Sequence, residues 1–196
     1  SKHGEIMGSG RSIEGFNMIQ TLQEMPELFT KFGGHPMACG FTLAEADKKD
    51  EFMQKMNEAF VKKMSGIDVT PTVDIDAEVD LEDVNWGLYD VLEKFKPFGQ
   101  QNQKPKYLAR GLTIVSLKPV GVDGKHMSIM VKHNSHRVRK TIGWHLCNEN
   151  ATDGIDWSKK LSVGDKIDMV FEVDINQWNG NRELQLLIVE LRKSEI

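Results

Sequence analysis

The stretch Lys31–Phe41 reads KFGGHPMACGF, and the first half of the chain is arranged around it. Two glycines, a histidine and a proline suit neither a helix interior nor a regular strand, although apolar residues flank them. The pattern predicts a tight, buried turn that presents His35, with Gly33 and Gly34 letting another group approach the main chain. Histidine donates to phosphate oxygens or exchanges a proton near neutral pH. The alternative is an ordinary turn around a core histidine.

A second glycine-rich stretch, Gly8–Ser12 (GSGRS), follows a predicted strand end at Glu5–Met7. A short loop of glycine, serine and arginine that leads into a helix is typical of a phosphate cradle, because backbone N–H groups and a guanidinium bind the anion. The predicted phosphate contacts are Ser9, Gly10, Arg11 and Ser12. The alternative is a capping turn in which Ser12 satisfies free N–H groups of the next helix.

The rest of the first half predicts a small α/β domain over residues 1–70. Apolar residues at helical spacing indicate helices over Gly15–Met25 and Lys48–Met64, the second capped by Asp47. Between them, Cys39–Leu43 has the composition of a buried strand. The following MSGIDVTP, Met64–Pro71, is typical of a linker or a domain edge and marks the boundary.

The second domain, residues 71–196, opens with an acidic segment. Apolar and acidic residues alternate over Thr72–Asp80, which predicts a half-buried strand. Its carboxylates are either metal ligands or, at this even spacing on one face, a solvated edge that discourages strand addition. A helix is predicted from Val84 to Phe95, ending before Pro97.

From Tyr107 onward the pattern becomes all-β and predicts a small five-stranded barrel. The predicted strands are Tyr107–Pro119, His126–His133, Val138–His145, Lys166–Asn176 and Glu183–Arg192. The longer connection Leu146–Ser162 falls between the third and fourth strands, where the oligonucleotide-binding (OB) barrel carries a helix or an insertion. We therefore expect an α+β, multidomain chain in which a small α/β domain precedes an all-β OB-type barrel.

Charge is segregated along the chain, although the net charge is only −4. Nine lysines and arginines but one aspartate lie between Lys104 and Lys140, and such a block attracts polyanions. OB barrels bind single strands in a charged groove with aromatic platforms. The predicted groove residues are Arg110, Lys118, Lys132, Arg137, Arg139 and Lys140, with Trp144 and Trp178 to stack on bases. The alternatives are a solvated basic surface and tryptophans that belong to the core.

Composition also excludes several classes of protein. No apolar run approaches the roughly 18 residues of a membrane span, and the first residues lack the apolar segment of a signal peptide. Cys39 and Cys147 are far apart and form no C-x-x-C, so neither a disulfide framework nor a zinc site is indicated. We therefore expect a cytoplasmic protein with reduced thiols and no membrane contact.

In this order the motifs resemble the C-terminal part of the RecJ single-strand-specific exonucleases. The matching motifs are GSGRSI (Gly8–Ile13), F-GGH-x-M-A-x-G (Phe32–Gly40) and K-PFG-x-x-N (Lys96–Asn102), with a barrel after them. The glycine–histidine motif is shared with the DHH-associated domain of many phosphodiesterases, so its specificity comes from the combination. Cys39, where alanine is common in the family, and Gln103, where proline is usual, depart from the pattern.

The resemblance implies an enzyme that removes nucleotides 5′ to 3′ from single-stranded DNA in repair and recombination, using Mn²⁺ or Mg²⁺. In that family an N-terminal DHH domain holds the metal with aspartates and histidines, and no D-H-H occurs in these 196 residues. The resemblance thus implies the DNA-gripping portion of such an enzyme, inactive alone and without metal ligands of its own. Its expected partners are single-stranded DNA, the DHH domain, and repair or replication proteins.

The resemblance also assigns roles to residues. His35 becomes the catalytic residue of this chain and faces the scissile phosphate with Gly33 and Gly34, while Ser9 and Arg11 contact the terminal phosphate. Two other functions stay open. One is a DHH-type phosphodiesterase of short oligonucleotides, which typically needs no appended barrel; the other is a non-catalytic module that binds single-stranded DNA or docks a partner.

Overall fold

The computed structural model describes residues 5–134, 137–147, 154–178 and 180–195, and for Trp178 the backbone alone. The chain forms two compact units, one that ends at Thr72 and one that begins at Val73. Each has its own hydrophobic core. None of the described helices is long and apolar enough to cross a membrane.

The first unit packs two helices on one side of a three-stranded antiparallel sheet. Its strands are β1 (Met7–Arg11), β2 (Phe29–His35) and β3 (Ala38–Leu43), in the order β1-β3-β2. Its helices are α1 (Met18–Gln23) and α2 (Lys49–Lys63). The core between sheet and helices contains Leu22, Leu28, Phe29, Cys39, Leu43 and Phe52. Because Cys39, Phe41 and Leu43 alternate along β3, one side of the sheet packs against this core, and on the opposite side Thr42 is also buried.

Both glycine-rich stretches differ from their predicted structures. The predicted buried turn at Gly33–His35 is instead the exposed end of β2, and the chain turns at Pro36-Met37. The predicted phosphate loop at Gly8–Ser12 is largely strand β1, and α1 begins only at Met18, so the loop does not lead directly into a helix. Glycine-rich stretches usually indicate turns in a sequence, but here hydrogen-bonded pairing with β3 keeps both stretches extended.

Two further predictions for local structure were wrong. Helix α2 follows a 3₁₀ turn at Ala46–Lys48, so Asp47 is not its N-cap. The predicted strand over Thr72–Asp80 is reduced to β4 (Ala77–Glu78), an exposed pair of residues parallel to the first barrel strand, and Val73 and Ile75 are exposed. Alternation alone does not make a strand where neighbouring pairing and burial are missing.

The second unit is a closed barrel, as predicted. Its strands are β5 (Tyr107–Val120), β6 (His126–Lys132), β7 (Val138–Gly143), β8 (Lys166–Trp178) and β9 (Asn181–Lys193). They follow the order β5-β6-β7-β9-β8, and β8 pairs back onto β5. Pairing is antiparallel except between β7 and β9, which are parallel. Every predicted barrel strand is therefore confirmed within a few residues.

Two short helices complete the barrel unit. Helix α3 (Trp86–Glu93) is capped by the Asn85 side chain and contributes Tyr89 and Leu92 to the core. Helix α4 (Trp157–Lys160) lies between the third and fourth barrel strands, as expected of an OB barrel, and Trp157 packs in the same core.

Candidate nucleic-acid interface

The pairing register brings Arg11 and His35 onto one face of the small sheet. Both pair with Ala38 of the central strand, Arg11 from β1 and His35 from β2. Residues paired across antiparallel strands point to the same side, so the two side chains share a face, roughly 10 Å apart at the backbone. Both are exposed. We call this side, which the helices leave uncovered, the open face.

A row of small residues forms the floor of the open face. Ser9 pairs with Gly40, which in turn pairs with Gly33. A Cβ on Gly33 would meet nothing within 4 Å, and Gly33 is not among the residues with positive φ. Neither packing nor backbone strain therefore requires glycine here. What the missing side chain does provide is direct access to the main chain.

Gly34 and Gly10 both pair with Cys39, and the register therefore places them in a different row from Gly33 and Gly40. Gly34 has a φ of +145°, and a Cβ there would lie 2.3 Å from the Ala38 carbonyl oxygen. A Cβ on Gly10 would lie 3.0 Å from the Cys39 sulfur. These two glycines shape the site without lining the open face.

Ser12 lies beyond β1 and is engaged within the unit. Its N–H donates to the Met37 carbonyl at 2.9 Å, and its hydroxyl donates to the Phe16 carbonyl. Arg11, by contrast, has only a hydrogen bond to the Gly10 carbonyl at 3.2 Å among the described residues. Of the predicted phosphate contacts, Ser9 and Arg11 remain accessible.

Lys31 and Thr42 lie at the other end of the same side of the sheet, where Lys31 is exposed and Thr42 is buried, and sequence reasoning missed them. They pair with each other across β2 and β3. A cavity of about 370 Å³ is lined by both residues together with Gly33 and Gly40. No described residue forms an ion pair with Lys31. The spacing Ala38, Gly40, Thr42 along the strand would have revealed this row, because alternate residues share a face.

The barrel gathers three lysines on the outside of its first three strands. Met127, Ile129 and Val131 of β6 are fully buried, so the residues between them point outward. Pairing then places Lys140 beside Met130 and Lys118 beside Ser128, while Lys132 ends β6. The barrel outer face, as we use the term, consists of the exposed residues Lys118, Met130, Lys132, Val138, Lys140 and Trp144, whereas Ser128 beside Lys118 is buried. No described residue forms an ion pair with its three lysines.

Trp144 stands at one end of the barrel outer face. It follows β7, and 56% of its surface is exposed. Its ring meets His126 edge-on, with centroids 4.8 Å apart. His126 is held in turn, because its Nδ1 accepts the His145 N–H at 3.0 Å. The indole is therefore an exposed and supported aromatic surface, on which a base can stack.

Two of the predicted groove arginines are occupied within the protein. Arg139 lies beside the buried Val131, and its Nη2 donates to the carbonyls of Leu81 at 3.0 Å and Val84 at 2.6 Å. Burial lowers the pKa of this guanidinium. Arg110 lies on a different part of the barrel.

Arg110 is bound by carboxylates. Its Nε is 3.1 Å from Glu78, and its Nη1 is 3.5 Å from Asp168. Arg137 is exposed just before β7. Trp178 ends β8, and its side chain lies outside the described residues.

The described residues do not fit a Mn²⁺ or Mg²⁺ site. Within these ranges, no three His, Cys, Asp or Glu side chains come together as a metal ion would require. The acidic residues of the 72–80 segment are therefore not assembled into such a group.

Comparison with known proteins matches both units. The family model described as the RecJ OB domain matches residues 75–190, and the DHHA1 domain matches residues 1–62. Similar proteins include the single-stranded-DNA-specific exonuclease RecJ of Bacillus subtilis, 29% identical over 98% of this chain and 23% of that protein. The RecJ of Dickeya dadantii is 29% identical over 96% of this chain and 31% of its own length. This chain thus spans less than a third of these relatives.

Solved structures show the same fold. The crystal structure of RecJ from Thermus thermophilus in complex with Mn²⁺ matches with a TM-score of 0.67 at 19% identity, covering 97% of this chain and 26% of that one. The corresponding complex with Mg²⁺ gives the same score and identity, covering 97% of this chain and 27% of that one.

Proposed function

We propose that this chain, which belongs to the RecJ family through its DHHA1 and RecJ OB domains, is the DNA-gripping portion of a single-strand-specific 5′ to 3′ exonuclease. Such an enzyme acts in DNA repair and recombination, in the cytoplasm. We assign residues 1–70 to the completion of the nuclease site and residues 71–196 to holding the strand. Its partners are single-stranded DNA, a DHH domain of the same protein, and repair or replication proteins.

The open face is the observation that carries this proposal. Two stretches that are far apart in sequence meet there, so that Arg11 and His35 flank a floor of small residues. A guanidinium binds phosphate through paired hydrogen bonds, and an imidazole donates to oxygens on which charge develops. The backbone at Gly33 is accessible, although packing does not require a glycine at this position. These features support a phosphate-binding half-site.

In this proposal the residues divide the work. Arg11 and Ser9 hold the terminal phosphate, while His35 stabilises charge on the scissile phosphate and Gly33 admits the strand close to the main chain. Gly10, Ser12 and Gly34 stabilise the backbone conformation of the small sheet. Mn²⁺ or Mg²⁺, held by a DHH domain, supplies Lewis-acid activation when bound.

The barrel outer face supports the second half of the proposal. Lys118, Lys132 and Lys140 are unpaired within the described residues and lie on adjacent strands, next to the exposed ring of Trp144. Cations that track phosphates and an aromatic ring that stacks on bases together bind single strands without regard to sequence. The second and third strands also form the usual ligand face of OB barrels. Arg137 adds charge at the start of β7, whereas Arg110 and Arg139 serve the fold.

A binding and cleavage experiment on the 196-residue chain tests the proposal. Fluorescence anisotropy with a 5′-labelled oligothymidylate should show weak binding that falls steeply as salt rises, because phosphate neutralisation releases counterions. With Mn²⁺ added, the oligonucleotide should stay intact. Cleavage by the chain alone, abolished in His35→Ala, would contradict the proposed division of labour. Binding that is equally strong at low and high salt would contradict the barrel assignment.

A further inference from the structure

A second cavity lies beside the free edge of β1, between the 12–18 segment and α2. Its volume is about 370 Å³. Its lining includes Arg11, Phe16, Met18, Met53, Met56 and Phe60. We call it the methionine pocket. Its size is within the range of small-ligand sites, which are mostly apolar with a few placed polar groups.

The walls of the methionine pocket are fixed by contacts within the unit. The Phe16 and Phe60 rings lie 5.3 Å apart, and the Ser12 hydroxyl holds the Phe16 carbonyl. Phe16 itself is buried. Met53, on the other hand, is 59% exposed, although its helical spacing predicts a core position. An apolar side chain is thus presented at the mouth of a preformed pocket.

Arg11 joins the methionine pocket to the open face. It lines the pocket, yet the register also places it in the row with His35. No described carboxylate pairs with its guanidinium. An apolar pocket with an unpaired cation at its rim suits a ligand that carries a flat apolar ring and an anion. A nucleotide has both, and methionine sulfur and aromatic edges contact such rings favourably.

We propose that the methionine pocket receives the base of the strand's terminal nucleotide while Arg11 holds that nucleotide's 5′-phosphate. This rests on the proposed function and adds a base subsite to it. The terminal nucleotide then lies on the β1 side of Arg11, and the next phosphate lies toward His35. Because methionine and phenylalanine contact the face of any base, the subsite accepts all four.

Methyl NMR tests the subsite directly. The 196-residue chain, labelled with ¹³C at the methionine methyls, is titrated with dAMP, deoxyadenosine and inorganic phosphate. We expect ring-current shifts at Met18, Met53 and Met56 with dAMP, whereas Met127 and Met169, fully buried in the barrel, stay unmoved. Arg11→Gln should weaken dAMP binding about tenfold and leave deoxyadenosine binding unchanged. Phosphate alone should move none of these methyls by ring current.

Two variants complete the design. Met53→Gln changes an exposed side chain and should weaken both dAMP and deoxyadenosine, whereas Lys49→Gln, an exposed lysine on the same helix, should weaken neither. If dAMP leaves the three pocket methyls unmoved while the oligonucleotide still binds with steep salt dependence, the subsite is wrong and the proposed function stands. If the oligonucleotide does not bind, the proposed function fails, and the dAMP shifts alone decide the pocket.

Discussion

Arg11 and His35 flank Ala38 on the open face, one from each neighbouring strand. They are 24 positions apart in the chain, and the antiparallel register alone sets their distance. A change in that register by one residue would turn one of the two side chains toward the helices. The proposed phosphate half-site therefore depends on strand pairing, and the glycines in these strands become as informative as the charged residues.

The adjacent glycines should respond differently to alanine. Gly34→Ala should lower the free energy of unfolding by about 1–3 kcal/mol, because its φ of +145° and the contact with Ala38 both oppose a Cβ. Gly33→Ala should change it by less than about 0.5 kcal/mol, since its Cβ would meet open space. Urea unfolding of the chain measures both values.

Exonuclease activity, measured where both variants are folded, should be reduced more by Gly33→Ala than by Gly34→Ala. In an enzyme that also contains the DHH domain, Gly33→Ala should lower kcat/KM although the fold is intact, because the methyl group occupies the floor of the open face. Unchanged activity in Gly33→Ala would show that no ligand approaches this backbone.

Arg11→Ala should reduce the preference for 5′-phosphorylated ends. A lost hydrogen-bonded ion contact is worth about 1.5–3 kcal/mol, so phosphorylated substrate should lose about tenfold or more in kcat/KM. Unphosphorylated substrate should lose much less. Exonuclease assays with both ends, in the enzyme that includes the DHH domain, measure the ratio. Equal losses of kcat/KM on the two substrates would show that Arg11 does not bind the terminal phosphate.

The lysines of the barrel outer face should account for part of the salt dependence. Replacing Lys118, Lys132 and Lys140 by glutamine should make the slope of log K against log salt shallower by about 2, because single strands contribute roughly 0.7 per neutralised phosphate. A charge-matched control replaces the exposed lysines Lys49, Lys62 and Lys94 and should leave the slope nearly unchanged. Similar slopes in both triple variants would place the DNA elsewhere.

Substitutions of Trp144 and Arg139 should distinguish a residue that stacks on bases from one that stabilises the barrel. Trp144→Ala should weaken oligonucleotide binding by about 1–3 kcal/mol with an unchanged salt slope. Arg139→Met should instead destabilise the barrel unit by about 1–3 kcal/mol, since two carbonyls lose their donor. Anisotropy titrations and urea unfolding of both variants check this. An Arg139→Met protein with normal stability but a shallower salt slope would reverse the assignment.

Asp168 should make the barrel unit sensitive to acid. Burial alone would raise the pKa of its carboxyl, but the Gly111 N–H, the Ser194 hydroxyl and Arg192 outweigh burial and hold that pKa below its ordinary value. Because the folded pKa is depressed, the stabilisation is present above the unfolded pKa of about 3.9 and is lost as pH falls through the folded pKa. Unfolding free energies measured between pH 6 and about pH 3 should therefore decline.

Variants identify the carboxyl responsible. Asp168→Asn should flatten this decline and cost about 1–3 kcal/mol near neutral pH, because Nη2 and Nε of Arg192 lose a charged acceptor at 3.1 Å. Asp123→Asn, in an exposed ion pair with Lys125, should cost less than about 0.5 kcal/mol and keep the decline. An Asp168→Asn protein with the same pH profile as the parent would assign the acid sensitivity to other carboxyls.

The sequence alone determined the barrel, and it indicated candidate residues for a phosphate site. Long alternating segments separated by turn signals fixed all five barrel strands, because each strand must bury one side and solvate the other whatever its partners. The residue types in the two glycine-rich stretches were also sufficient to indicate phosphate chemistry. Sequence placed Ser9, Arg11, Gly33 and His35 among the candidates without showing how they meet.

Tertiary structure decided the rest, because backbone pairing and burial are properties of two segments at once. The glycine stretches became strands through their register with β3, and that register selected which residues face outward. The alternating acidic segment stayed mostly without pairing, and Arg139 was drawn to carbonyls of the 81–84 turn. The methionine pocket likewise exists only where α2 stands beside the edge of β1, since helical spacing gives Met53 a core position that no neighbouring element covers.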